Sequence, residues 1–376
     1  MTELRYGFGK NWAEFIEQKL SEDIVQESID HMKSFMKIDN LEGKTFLDIG
    51  CGSGIHSLAA LRLGAAKVVA FDYDDDSVAT SLKVRKWAGI PEQKWSIAQG
   101  SVLDRGFVES LPKCDVVYSW GVLHHTGSMW EAVRNATVPL APGAAFYIAL
   151  YSSDNYTDPT PEFWIRLKRA YNQASPLTKK LMEMKYVYWM LMRPEIEAGR
   201  DPLATVSNYG KRGMTAWTDA KDWLGGFPME FSSYAETRDF CKREAGLDLV
   251  NGLTGEGCTE YLFTRLDENP TWRALEAGRE RVQMSAPFAH VGGHAYAINL
   301  PAHLRAGADD ESDHMRSRVM VYEDGVPLGL AHCMHDTIRD LGGGRFSHWG
   351  TDLVFSASDN SDPNLNGRSY AYCETY

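Results

Sequence analysis

The segment Thr45-Phe46-Leu47-Asp48-Ile49, followed by Gly50-Cys51-Gly52-Ser53-Gly54, restricts the fold of this chain more than any other stretch. A short apolar run breaks into three glycines at alternate positions, and a helix is expected from about Ile55 to Leu63. Buried strand, glycine turn and helix in that order belong to α/β proteins whose loop holds a ligand. Glycine accepts positive φ there and, lacking Cβ, lets the backbone approach a bound molecule. Two common phosphate-binding loops do not fit. A dinucleotide fingerprint needs Gly or Ala where Ile55 stands, and a Walker loop needs a Gly-Lys-Ser/Thr run that this segment lacks.

The flanking sequence repeats the alternation. Residues 21–38 carry Ile24, Val25, Ile29, Met32 and Met36 at helical spacing, with Ser21 placed as the N-cap. Further strands are expected at Val68–Phe71, Trp95–Ala98, Val116–Ser119 and Phe146–Tyr151, with a helix over Ser77–Trp87. Strands alternating with helices predict an α/β fold whose parallel sheet is covered on both faces. Residues 152–233 break the pattern. Rich in Trp, Tyr, Met, Pro and Gly, they read as a helical insertion placed as a lid over the carboxyl ends of the strands. A helix at 234–245 and strands at Leu247–Leu253 and Glu260–Thr264 resume it. The expected organisation is an α/β domain over 1–270 with its lid at about 152–233, a polar helical linker over 271–286, and a small all-β, sandwich-like accessory domain over 287–376.

Composition narrows the function. With 44% hydrophobic and 24% charged residues the chain can bury a sizeable core. Its 51 acidic against 39 basic residues, net −12, argue against nucleic acid or an anionic membrane as a partner of the whole surface, leaving room only for a local basic patch. Six scattered cysteines form neither a CxxC pair nor a zinc spacing, which points to a reduced, cytoplasmic chain. Met1–Lys10 lacks the apolar run of a signal peptide. The apolar run Tyr186–Met192 is far short of the roughly 20 residues of a spanning helix, so a packed helix and no integral membrane contact are expected.

Three motifs in order carry a resemblance. Asp48 with Gly50-x-Gly52-x-Gly54 resembles motif I of the class I S-adenosylmethionine-dependent methyltransferases, a Rossmann-like fold. Asp72 ends the second strand about twenty residues later, where the family's acid accepts the ribose hydroxyls, and Tyr73 would lie beside the adenosine. Gly100-Ser101-Val102-Leu103-Asp104 stands where the family reads adenine, with Ser101 replacing the acid usual there. Cys114 to His125 is similar to the family's fourth strand and following loop, which implies that Trp120 touches the methionine part of the cofactor. The resemblance covers roughly residues 5–265 and implies that Asp48, Gly50, Cys51, Gly52, Gly54, Asp72, Tyr73, Ser101, Val102, Trp120 and Trp12 contact S-adenosyl-L-methionine. Within the superfamily, Tyr6 to Trp12, Gly210 to Met214 and Asp222 to Pro228 resemble bacterial methyltransferases of surface-polysaccharide biosynthesis, often labelled ubiquinone-type O-methyltransferases. Trp120 to His125 also resembles enzymes that carboxymethylate a tRNA wobble uridine, which the acidic balance disfavours.

Methyl transfer to a hydroxyl needs the acceptor positioned and its proton removed. His124 and His125, just past the fourth strand, are the candidate bases, with His124 preferred; a helix-capping or packing role is the alternative for either ring. Aromatic faces suit a sulfonium, which makes Trp12, Trp120 and Tyr6 candidates besides their roles as core aromatics. Arg212, Asp222, Trp223 and Glu230 combine charge and ring as a sugar-binding surface would, or as a lid closed by an ion pair would. Seven of the eleven histidines fall in the last 90 residues, but His332-Cys333-Met334-His335, read as a strand, points its two histidines to opposite faces, and no metal site is expected. The turn-rich Ser356–Pro363 reads as an Asx-turn loop. The expected activity is O-methylation of a sugar hydroxyl on a glycan or nucleotide-sugar. The alternatives are a small phenol or quinol acceptor, or a cofactor-binding scaffold without catalysis. The partners are then a small-molecule or glycan acceptor and no nucleic acid, with homo-oligomerisation left open.

Overall fold

The computed structural model describes residues 7, 9–156, 158–209, 215–254, 257–270, 272–273 and 280–374. The chain forms two compact units, Met1–Phe231 and Ser232–Tyr376.

In the first unit five parallel strands lie in the order β3-β2-β1-β4-β5. They are β1 (Thr45–Ile49), β2 (Lys67–Asp72), β3 (Trp95–Gln99), β4 (Cys114–Trp120) and β5 (Leu140–Tyr151). Central β1 buries Phe46, Leu47 and Ile49 almost completely, which is why its sequence is apolar without alternation. Because the strands are parallel, the segments after Ile49, Asp72, Gln99, Trp120 and Tyr151 leave the sheet at one edge.

The helices around this sheet are α1 (Gly9–Lys19), α2 (Glu22–Met36), α3 (Ile55–Arg62), α4 (Asp75–Trp87), α5 (Arg105–Ser110) and α6 (Met129–Ala136). Helix α2 buries Val25, Met32, Phe35 and Met36. Ser21 stands at its cap position in extended backbone, but its side chain makes no cap hydrogen bond. Helix α1 contains Gly9 to Trp12 of the motif that begins at Tyr6. Its Gly9 N–H donates to Asp74 at 3.1 Å, and a Cβ there would lie 2.5 Å from the Ser77 nitrogen, so glycine permits the docking of α1 on the start of α4.

The insertion is helical as expected: α7 (Pro161–Gln173), α8 (Pro176–Val187), a π-helical turn (Tyr188–Met192), α9 (Arg193–Glu197), α10 (Pro202–Ser207) and α11 (Ala216–Gly225). Proline opens α7, α8 and α10, where its missing N–H leaves no bond unmade. Tyr156, Trp164 and Met229 form a small core there with Tyr151, Leu167, Tyr186, Trp223 and Phe231.

The second unit starts with α12 (Tyr234–Ala245), held by a reciprocal cap between Ser233 and Glu236. Strands β6 (Asp248–Thr254) and β7 (Cys258–Thr264) pair antiparallel. Two four-stranded antiparallel sheets follow: β13-β14-β10-β9 and β12-β11-β15-β8. The strands are β8 (Val282–Met284), β9 (Ala289–His290), β10 (Tyr296–Asn299), β11 (Val319–Glu323), β12 (Val326–Pro327), β13 (Phe346–Trp349), β14 (Asp352–Phe355) and β15 (Tyr370–Glu374). One apolar cluster draws Tyr296, Phe346, Leu353 and Phe355 from one sheet and Met284, Val319, Val321 and Tyr372 from the other, the packing of a β-sandwich. Two sequence expectations change here. Val282–Met284, inside the expected helical linker, is the strand β8 paired with Tyr370–Tyr372. His332 and His335 do not share a strand: His332 has φ 59°, and His335 opens α13 (His335–Leu341).

Ser21 and Ser233 hold equivalent cap positions, but only Ser233 bonds the helix. Ser233→Ala is expected to lower unfolding stability by about 1 kcal/mol and Ser21→Ala by less than about 0.5 kcal/mol in urea titrations. Equal losses would contradict the difference in capping.

Candidate active site

The strand order reverses between β1 and β4, and the loops leaving these two strands define a crevice. They touch: a Cβ on Gly50 would lie 2.4 Å from a Val122 methyl, and the Ser119 hydroxyl donates to the Ile49 carbonyl at 3.0 Å. Gly50, Gly52 and Gly54 all have positive φ. The Gly50 and Cys51 N–H groups donate to the Phe71 carbonyl. The Gly52 N–H donates to one Asp72 carboxylate oxygen at 2.9 Å, and the Asp74 N–H donates to the other at 2.9 Å. Burial nevertheless raises the Asp72 pKa.

Asp48 lies beneath this loop, 2% exposed, and accepts the Ser57 hydroxyl at 2.6 Å. Burial, and then the nearby Asp72 charge, raise its pKa to about 7 against the pull of Ser57. Cys51 is buried, with its thiol pKa raised by burial. Trp12 covers the loop from α1: a Cβ on Gly52 would lie 3.1 Å from the indole nitrogen. Tyr73 is exposed, and the Ser101 hydroxyl accepts the Leu103 N–H at 3.2 Å while Val102 is buried. The Trp120 ring lies 6.4 Å from His56, at the start of α3.

The two histidines after β4 differ sharply. His124 is fully buried, its ring 3.9 Å from that of Tyr151. Its Nδ1 accepts the Tyr151 N–H at 3.3 Å, which leaves the ring proton on a buried Nε2 that has no partner among the described residues. Burial, followed by His125 and Lys168, drives its pKa well below the ordinary histidine value. His125 is half-buried, and its Nδ1 donates to the Pro228 carbonyl at 2.7 Å. In the neutral ring this fixes the proton on Nδ1 and leaves Nε2 with the lone pair. His124 is thus not at the rim where the sequence expectation put it, because Tyr151 of β5 covers that ring.

Glu230 grips the same loop. Its N–H donates to the His124 carbonyl at 2.9 Å, and its carboxylate accepts the Met129 N–H at 3.0 Å. It therefore caps α6, where Ser128 makes no side-chain cap bond. Asp222 on α11 accepts from Asn11 at 3.2 Å and so joins the insertion to α1 beside Trp12. The Trp223 ring packs in the small core, stacked on Tyr156 at 6.0 Å. Arg212 and Tyr6 lie outside the described residues. Sequence reasoning missed Lys168, fully buried with its ammonium 4.0 Å over the Trp223 ring and donating to the Trp223 carbonyl. The buried set Trp164, Lys168 and Tyr171, at helical spacing, was the available signal. Among the described residues no group of three or more His, Cys, Asp or Glu could hold a metal, and no helix is long and apolar enough to cross a membrane.

Residues 27–118 match the family model of the ribosomal protein L11 methyltransferases (PrmA). Over that segment the chain is similar to methyltransferases. Over 54 residues it is 46% identical to the ribosomal protein L11 methyltransferase of Aliivibrio fischeri (strain MJ11) and 48% identical to that of Aliivibrio salmonicida, in each case 14% of this chain and 18% of the relative. The chain thus spans under a fifth of the length of these curated relatives. Among solved structures, magnesium protoporphyrin IX methyltransferase from Synechocystis PCC 6803 aligns over 68% of this chain and 93% of its own at 12% identity, TM-score 0.40. An O-methyltransferase family protein from Burkholderia thailandensis aligns over 66% of this chain and 56% of its own at 15% identity, TM-score 0.39.

A carboxyl with a raised folded pKa favours folding at low pH and loses that contribution as pH rises from its unfolded value towards the folded one, here from 3.8 to about 7. Asp48→Asn removes the ionisation and keeps an acceptor for Ser57. The variant is expected to match wild type near pH 4 and to exceed it at pH 8 by on the order of 1–3 kcal/mol in denaturant titrations. No widening of the gap with pH would contradict a protonated Asp48.

Proposed function

We propose that this chain is an O-methyltransferase whose acceptor is a sugar hydroxyl of a glycan or nucleotide-sugar. The observation that carries the reading is His125, held by the Pro228 carbonyl so that Nε2 can accept a proton, on the loop across the crevice from Gly50. Three glycines at positive φ and the Asp72 carboxylate fit an adenosine: the loop admits close approach, and the acid is fixed by two amides as a ribose-hydroxyl acceptor. Asp48, Cys51, Trp12, Tyr73, Ser101, Val102 and Trp120 complete the proposed contacts. S-adenosylmethionine, when bound, supplies an electrophilic methyl group on a cationic sulfur.

The chain's own residues then do three things. The loop after β4 orients the acceptor hydroxyl, His125 Nε2 takes its proton as the oxygen gains the methyl carbon, and the insertion excludes water. Glu230 serves here as a positioning residue, and Asp222 and Trp223 hold the insertion together. A domain over 1–270 with an appended sandwich fits an enzyme of polysaccharide biosynthesis whose accessory unit presents a glycan. A phenol or quinol acceptor is the second reading, favoured by the rings of Tyr151, Tyr156, Trp223 and Phe231. The L11 relatives match only 54 residues here, too few to carry an acceptor.

Turnover to S-adenosylhomocysteine on a panel of nucleotide-sugars and glycans, set against a panel of phenols and quinols, tests the reading. Sugar-dependent turnover is expected; phenol-only turnover selects the second reading, and cofactor binding without turnover on either panel leaves a scaffold. Asp72→Ala is expected to weaken S-adenosylmethionine binding by about 1.5–3 kcal/mol in calorimetry. His125→Ala is expected to lower kcat by about 10²–10³-fold with unchanged cofactor affinity and to flatten the acidic limb of the pH–rate profile. A full-rate His125→Ala enzyme would leave proximity alone as the mechanism.

A further inference from the structure

Helix α8 is amphipathic in the opposite sense to an ordinary surface helix. Its buried face holds the carboxylate Glu183, which accepts the Tyr171 hydroxyl at 2.8 Å, together with Val187. Leu177, Leu181, Met184 and Tyr188, at helical spacing, face solvent; Leu177 is 73% exposed and Leu181 57%. The π-helical turn adds exposed Trp189 and Met190. Single exposed apolar residues are common, but a contiguous row marks a contact surface.

Charge identifies the contact. Lys180 and Lys185 flank the row on either side and Arg193 follows it, whereas between Pro176 and Arg193 the single carboxylate is the buried Glu183, which pairs with Lys180 at 3.4 Å. Lys180 lies 4.7 Å over the Trp217 ring, and Arg193 lies 4.3 Å over the Trp189 ring and pairs with Glu197. This is a local cationic patch on a chain of net charge −12. Leucine and methionine in a row, Tyr and Trp at its end and lysines along its sides match a helix lying in the headgroup plane of a membrane. A second copy against the same face would bring lysines against lysines.

We propose that the outward face of α8 and the following π-helical turn docks this enzyme on an anionic phospholipid surface. The contact is peripheral, since no helix among the described residues can span a bilayer. It stands on the lid alone and does not depend on the acceptor. Co-sedimentation of the full chain with vesicles of phosphatidylcholine containing phosphatidylglycerol tests it. Binding is expected to be about tenfold or more weaker on phosphatidylcholine alone and to fall as salt is raised. Leu181→Glu/Met184→Glu should lose binding by about tenfold or more while keeping wild-type melting and S-adenosylmethionine affinity, because both positions are exposed. Lys185→Glu should weaken binding to anionic vesicles by about fivefold or more. No sedimentation with anionic vesicles would overturn the proposal, as would unaltered binding by Leu181→Glu/Met184→Glu. A dimer in sedimentation velocity that this double variant dissolves, without vesicle binding, would give the face to a second copy instead.

Discussion

The hydrogen bond from Gly52 to Asp72 is the constraint on which the candidate site depends. It joins the loop leaving β1 to the end of β2, and Asp74 fixes the other carboxylate oxygen. A loop of three glycines is entropically costly to order, so its shape must come from such external anchors. Phe71 supplies a carbonyl from one side, Val122 packs from another, and Trp12 closes over Gly52. The same acid thus shapes the loop before it can meet a ligand.

The cost of this arrangement falls on Asp48. Two carboxylates lie close in a buried setting, and the deeper one retains its proton at higher pH. Desolvation outweighs the Ser57 bond there because one hydroxyl cannot replace the hydration of a carboxylate. Around His125, in contrast, polarity is met by backbone: a carbonyl from Pro228 sets the tautomer without adding charge to the crevice.

The sheet was legible because its signals are local. Apolar runs ending at glycine or aspartate marked β1 to β4 within two residues or so, and the helix at 234–245 matched its bounds. β5 began earlier than expected, at Leu140, which pairs with Cys114 before an irregularity, and pairing with β4 resumes at Ala145. The linker misled because the charges around Arg281 resemble a helix surface, while the pairing of β8 with Tyr370–Tyr372 is remote in sequence. The difference in burial between His124 and His125 was hidden for a related reason. Their burial is set by Tyr151 and by Pro228 to Phe231, residues 26 to more than 100 positions away, and spacing carries no trace of that.

Pro228 and Glu230 together hold the loop after β4 at three points: the His125 ring, the His124 carbonyl and the Met129 amide. The returning end of the insertion and the proposed base are therefore mechanically one piece. Any displacement of residues 228–230 carries the His125 ring with it. On the proposed function, admission of the acceptor and readiness of the base would form a single interlock: withdrawing the cover would also withdraw the proton acceptor, and a sulfonium exposed to water would face no assembled base.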